Sequence, residues 1–125
     1  MAASNERIRE VVEAYVDRVG NGTSAEVVAL YAEGATVEDP VGSDVLTTRE
    51  QIAAFYGNLD GLEQTTELLE TRIGGGQAAF LFRIATVVGD QTYTMAPIDV
   101  MTFDDDGLIT SMRAYWNPEA DMVVS

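Results

Sequence analysis

The chain has 125 residues, 46% of them hydrophobic, and a formal net charge of −14. That length and composition set a single globular domain with room for a core, and the charge argues against nucleic acid or an anionic membrane surface as a partner. There is no His, Cys or Lys, and all seven basic residues are Arg; this excludes Ser-His-Asp and Cys-His catalysis, Schiff-base lysine and the common zinc sites, and leaves Asp, Glu and Tyr for any cofactor-free proton chemistry.

No apolar run reaches the length of a membrane helix, and Met1 to Arg7 opens into a charged amphipathic pattern without an apolar signal core, so a cytoplasmic protein is expected. From Ser4 to Val19, Ile8, Val11, Val12, Tyr15, Val16 and Val19 fall at helical spacing and predict a first helix, ended by Gly20 and Gly22. Thr23 followed by Glu26 reads as a capping box for a second helix. That helix would carry Val27, Leu30 and Tyr31 inward and stop at Gly34. Thr36 to Asp39 is extended, because Pro40 disfavours helix at the residue before it. Thr47 followed by Glu50 reads as the capping box of a third helix, with Ile52, Phe55, Tyr56 and Leu59 on one face.

After Asp60-Gly61 the apolar period changes from helical to alternating. Strands are predicted at Thr65–Ile73, Ala78–Val88, Tyr93–Phe103 and Leu108–Trp116. The turns between them fall at Gly74 to Gly76, Gly89-Asp90 and Asp104 to Gly107, and Pro118 onward is a tail. Three helices followed by an antiparallel meander define an α+β order, a curved sheet wrapped over the helices with a pocket between them.

The stretch Tyr93 to Phe103 carries the sharpest anomaly. Its odd positions share one face, and that face is apolar except for Asp99. No Lys or His exists to pair with it, and Arg83 and Arg113 have the opposite parity to the apolar faces of their strands. Two readings are open: a neutral carboxyl in an apolar site, able to donate a hydrogen bond, or a strand bent at Pro97 that lets Asp99 reach solvent or a backbone cap. Asp39 shares a face with Val37 beside a Pro-fixed turn. It reads either as a general base or as an ordinary turn former. Tyr15, Tyr31 and Tyr56 sit on the inner stripes of three predicted helices, as a hydroxyl network or as three independent core aromatics.

Residues 28–43, reading VALYAEGATVEDPVGS, together with Ala96-Pro97-Ile98-Asp99 and the run from Ser111 to Trp116, resemble the bacterial Δ5-3-ketosteroid isomerases. The resemblance covers nearly the whole chain and is weakest from Leu46 to Gly76. It implies one domain over residues 1–125 with the cone-shaped α+β fold of nuclear transport factor 2 and scytalone dehydratase. It also implies Asp39 as catalytic base, Tyr15 and protonated Asp99 as an oxyanion hole, and Tyr31 and Tyr56 as a supporting network. Phe82, Ile84, Met95, Met112 and Trp116 match pocket positions, and the strand parities independently put the first four on inner faces.

The implied reaction converts a 3-oxo-Δ5 steroid, a small-molecule partner, into its conjugated Δ4 isomer. It needs no metal and no cofactor. A homodimer is also implied, and the outer sheet face bearing Thr92, Thr94, Ile98 and Val100 would suit an interface. The competing readings on the same fold are a non-catalytic binder of apolar ligands and a hydrolase or cyclase; the hydrolase would use Asp-Arg-Asp chemistry on an epoxide, for which no Arg falls on an inner strand face.

Overall fold

Each helix begins at a hydroxyl that caps it. The computed structural model describes residues 2–125. Helix α1 spans Asn5–Asn21, and Ser4 accepts a hydrogen bond from the Arg7 amide at 3.1 Å. Its buried residues are the six apolar positions of the expected stripe. Helix α2, Ser24–Val28, opens with the reciprocal Thr23–Glu26 capping box. Helix α3, Arg49–Gly57, is capped one residue later than expected, by Thr48 and Gln51 rather than Thr47 and Glu50. The run Thr47-Thr48-Arg49-Glu50-Gln51 offers both pairs. The Gln51 carbonyl settles the choice by accepting from both the Thr47 and Thr48 amides.

The second helix is shorter than its sequence pattern, and Tyr31 is not on it. Strand β1 runs Tyr31–Glu38, begun by the Ile109 amide donating to the Leu30 carbonyl. Gly34 therefore does not stop a helix. It lies inside β1 at φ +75°, where the register with the neighbouring strand slips, and a residue without Cβ adopts that backbone freely. Leu59 likewise falls beyond α3.

Strands β2 (Glu63–Gly74) and β3 (Gln77–Val88) form a long hairpin whose two-residue turn, Gly75-Gly76, has both φ values positive. The predicted strand Tyr93–Phe103 is two strands, β4 (Gln91–Met95) and β5 (Ile98–Phe103). Pro97 has no N–H for the ladder, so the chain breaks there. β4 pairs with the second half of β3 and β5 with its first half. β6 spans Ile109–Tyr115, and a bulge between its pairings with Phe103 and Thr102 lets Ile109 face inward with Met112 and Ala114 despite its opposite parity. The expected tail contains a further strand, β7 (Val123–Val124), paired with β4.

The sheet order is β1-β6-β5-β3-β4-β7, with β2 on β3. All pairings are antiparallel except β1 with β6, which is parallel; the expected meander thus becomes a curved mixed sheet. The α1 stripe packs against β2 and β3, and the core runs through Val12, Val37, Phe80, Met101, Ile109 and Met112. No helix among the described residues is long and apolar enough to cross a membrane.

The cap assignment is open to direct measurement. Thr48→Ala removes the side-chain acceptor of α3 and should cost about 1 kcal/mol of unfolding free energy in urea, with Thr47→Ala close to neutral. The reverse order of the two variants would restore the Thr47–Glu50 cap.

Candidate active site

Asp99 lies on β5 opposite Phe80 of β3 and Ala114 of β6. It is 1% exposed, and its Oδ1 has no hydrogen-bond partner among the described residues. The break at Pro97 does not release it to solvent, because the inward parity of Tyr93, Met95, Pro97 and Asp99 continues through the break. Arg83 and Arg113 point outward, where they pair with Glu67 and Glu38. Burial without a counter-charge holds the Asp99 carboxyl well above the usual carboxylate range, and the charge of Asp39 pushes it further up.

Asp39 reaches the same space by a different route. The parallel β1–β6 pairing aligns Glu38 with Arg113, and just beyond it the Val41 amide donates to the Ala114 carbonyl at 2.8 Å. Ala114 is the residue opposite Asp99, so the segment after β1 is tied to the strand beside the buried acid. Asp39 is half-buried, and the Trp116 indole N–H donates to its Oδ1 at 2.7 Å. Burial raises its carboxyl above the ordinary aspartate value, and the indole hydrogen bond opposes that rise by favouring the carboxylate.

The three tyrosines are joined. Tyr31 and Tyr56 hydroxyl oxygens are 2.6 Å apart, and those of Tyr56 and Tyr15 are 2.9 Å apart, all three side chains being buried. Run in the direction Tyr31 to Tyr56 to Tyr15, the chain leaves the Tyr15 proton for the cavity. Burial, foremost, holds all three hydroxyls protonated well above their usual range. The Tyr15 ring is further fixed edge-on against Phe80 and Phe82.

Tyr15, Asp39, Tyr56 and Asp99 share one cavity of about 360 Å³, walled by Phe82, Ile84, Met95 and Trp116. Of the expected pocket residues only Met112 is absent from the wall. It is fully buried between Val37 and Met101 in the ladder, a core residue behind the site. Tyr31 also lies behind the cavity, reaching it through Tyr56.

Several lining residues escaped the sequence reading. Trp116 was expected as a pocket aromatic and is also a hydrogen-bond donor to Asp39. Gln64 lies one position before the predicted start of its strand, and Thr86 went unnamed although it continues the Phe82–Ile84 parity, the one signal that could have found it. Met122 comes from the presumed tail and carries no sequence signal. Among the described residues no cluster of three metal-ligating side chains occurs, and no Arg lines the cavity.

Two carboxyls in unequal environments and a tyrosine hydroxyl thus face one cavity between helices and curved sheet, a set of groups able to give and take protons. Comparison with known proteins identifies the family. The SnoaL-like domain family matches residues 12–112. A Steroid Delta-isomerase of Nocardioides simplex is 53% identical over 118 residues, covering 94% of this chain and 95% of that protein. The solved structure described as the epoxide hydrolase/cyclase-like enzyme SalBIII, of pyran ring formation in the polyether salinomycin, superposes with a TM-score of 0.88. It is 27% identical, with 98% of each chain covered. The chain belongs to the SnoaL-like family, and within it to the steroid Delta-isomerases.

The buried acid makes stability depend on pH with a definite sign. An unfolded Asp titrates near ~3.9, while Asp99 in the fold stays protonated to higher pH. Between the two values the native state holds the extra proton, so stability is greatest below the unfolded value, falls as pH rises, and levels off above the folded one. Urea midpoints from about pH 5 to 8 should therefore decline with pH, and Asp99→Asn should flatten that decline. An equally steep decline in the Asn variant would mean that Asp99 is ionised in the native protein.

Proposed function

We propose that the protein isomerises 3-oxo-Δ5 steroids to conjugated 3-oxo-Δ4 steroids by intramolecular proton transfer. The observation that carries this reading is the unpartnered Asp99 carboxyl, buried and facing a cavity that also holds Tyr15 and Asp39. An apolar, rigid tetracycle suits walls made of Phe, Ile, Met and Trp, and the 53% identity to a Steroid Delta-isomerase supports the substrate class.

Asp39, as carboxylate, removes the 4β proton beside the ketone. The C–H electron pair moves into the ring system and negative charge collects on the 3-oxygen as a dienolate. Tyr15 and neutral Asp99 donate hydrogen bonds to that oxygen as its charge grows, in a site from which water is excluded and donors are worth more. The acid form of Asp39 returns the proton to carbon 6, leaving the conjugated ketone and the original carboxylate. Trp116 favours the carboxylate form of the base, and its hydrogen bond holds Oδ1 in place. Tyr56 and Tyr31 orient the Tyr15 hydroxyl from behind.

An epoxide hydrolase or cyclase reading draws on the likeness to SalBIII. It lacks a cation in the cavity, since none of the Arg residues lines it, and the isomerase reading needs none. Two copies of the chain are proposed to pair through the outer sheet face, where the opposed residues Ile98 and Tyr115 are 47% and 43% exposed.

Mixing the protein with 5-androstene-3,17-dione should produce conjugated-enone absorbance; a rate equal to the uncatalysed one would leave a steroid binder instead. Asp39→Asn should abolish turnover while retaining binding of a phenolic steroid. Asp99→Ala should lower kcat by ~10²–10³ with a smaller change in KM, because the donor acts most strongly in the transition state. Loss of binding at unchanged kcat would remove Asp99 from the oxyanion hole. As pH falls, activity should fail through an apparent pKa above the ordinary aspartate range, following the raised Asp39 carboxyl. Tyr56→Phe should cost less kcat than Tyr15→Phe, since Tyr56 acts only through Tyr15; equal losses would mean that Tyr56 itself touches the substrate.

A further inference from the structure

The cavity has a second polar end. Along β3, Phe80, Phe82, Ile84 and Thr86 alternate inward. Asp99 is opposite Phe80 at one end of that row, and Gln64 of β2 is opposite Thr86 at the other. The row spans at most about 20 Å between the Cα atoms of Phe80 and Thr86. Between the two ends the wall is apolar, with Phe82, Ile84 and Met95.

Gln64 and Asp99 are the two buried polar or charged residues among those described, Gln64 being 8% exposed. Its Nε2 donates to the Thr86 hydroxyl at 3.1 Å, and its Oε1 has no partner among the described residues. The Thr86 hydroxyl, having accepted that bond, keeps its own proton free. In either orientation of the amide, one end of Gln64 remains for the cavity. A largely buried amide and a part-buried hydroxyl beside an apolar wall, each with hydrogen-bonding capacity left over, are placed to bind a polar group on a ligand that fills the cavity.

We propose that Gln64 and Thr86 form a distal subsite that hydrogen-bonds an oxygen function at the end of the steroid remote from the reacting ketone. The ring-D position of a 3,17-dioxygenated skeleton carries such a group. A ketone there accepts from the Thr86 hydroxyl, and a hydroxyl there donates to the Gln64 Oε1. The proposal rests on the isomerase reading for the identity of the ligand. It adds selection among steroids: a skeleton oxygenated at both ends satisfies both polar ends of the cavity, and one lacking the distal oxygen leaves Gln64 and Thr86 unmet.

The test compares 5-androstene-3,17-dione with 5-androsten-3-one, which differs by the distal ketone. The 17-oxo substrate should have a kcat/KM about tenfold higher, with the difference in KM. Gln64→Leu and Thr86→Val should each bring the ratio of the two substrates toward one, and Thr86→Ser, which keeps the hydroxyl, should retain it. A purely structural Gln64–Thr86 pair would affect both substrates alike and leave the ratio intact, which overturns the subsite, as does an equal kcat/KM for both substrates in the unaltered protein. If neither substrate is isomerised, the isomerase reading fails and the subsite is decided by binding. Fluorescence titration with equilenin and with its 17-deoxo analogue should then show a preference for equilenin that Gln64→Leu removes; equal affinities overturn it.

Discussion

The site depends on one unfavourable fact, a carboxyl buried against phenylalanine and alanine with an oxygen left unpaired. A carboxylate in that position would carry a charge with nothing to balance it, so the group keeps its proton. A neutral carboxyl can donate a hydrogen bond, and Asp39, less buried and bonded by the Trp116 indole, is the carboxyl of the pair that ionises more readily. Each group reinforces the other, because the charge on Asp39 is itself a reason for Asp99 to stay protonated. The environments, rather than the residue type, set the two carboxyls apart.

The sheet makes that division by topology. β3 acts as the spine, holding β5 along one half and β4 along the other, so that the break at Pro97 bends the chain without reversing its inward face. β6 lies on the far side of β5 and carries β1 in parallel, which delivers the segment after Glu38 to the strand next to Asp99. Residues sixty positions apart thereby meet through a single shared neighbour, Ala114. The outward Arg83 and Arg113 follow from the same alternation. Their ion pairs are on the exposed face, where they neither neutralise the buried acid nor contribute much stability.

The helices supply the third group. α1 presents Tyr15 from the stripe that packs on β2 and β3, and α3 presents Tyr56 to it. Tyr31 enters from the first residue of β1 rather than from a helix, yet its hydroxyl still closes the chain. Three buried phenols joined by two hydrogen bonds leave one proton over, on Tyr15 when the chain runs from Tyr31, and this is less costly than three separate buried hydroxyls.

The sequence by itself determined the periodic features. The α1 stripe, the helical-to-alternating change after Gly61, the inward parity of β3 and the anomaly of Asp99 all follow from local side-chain direction, which is fixed by backbone geometry. The missing His, Lys and Cys narrowed the chemistry, and residues 28–43, 96–99 and 111–116 carried the family resemblance. Only the tertiary structure decided what depends on long-range pairing. Tyr31 became a strand residue because β6 was there to pair with it, and β1 ran parallel because that edge of β6 received it. Met112 fell behind the wall, the tail became β7, and Trp116 turned its indole to Asp39. Gln64 and Thr86 gained meaning only when the hairpin set them opposite each other, since neither residue type signals a site until its neighbours are known.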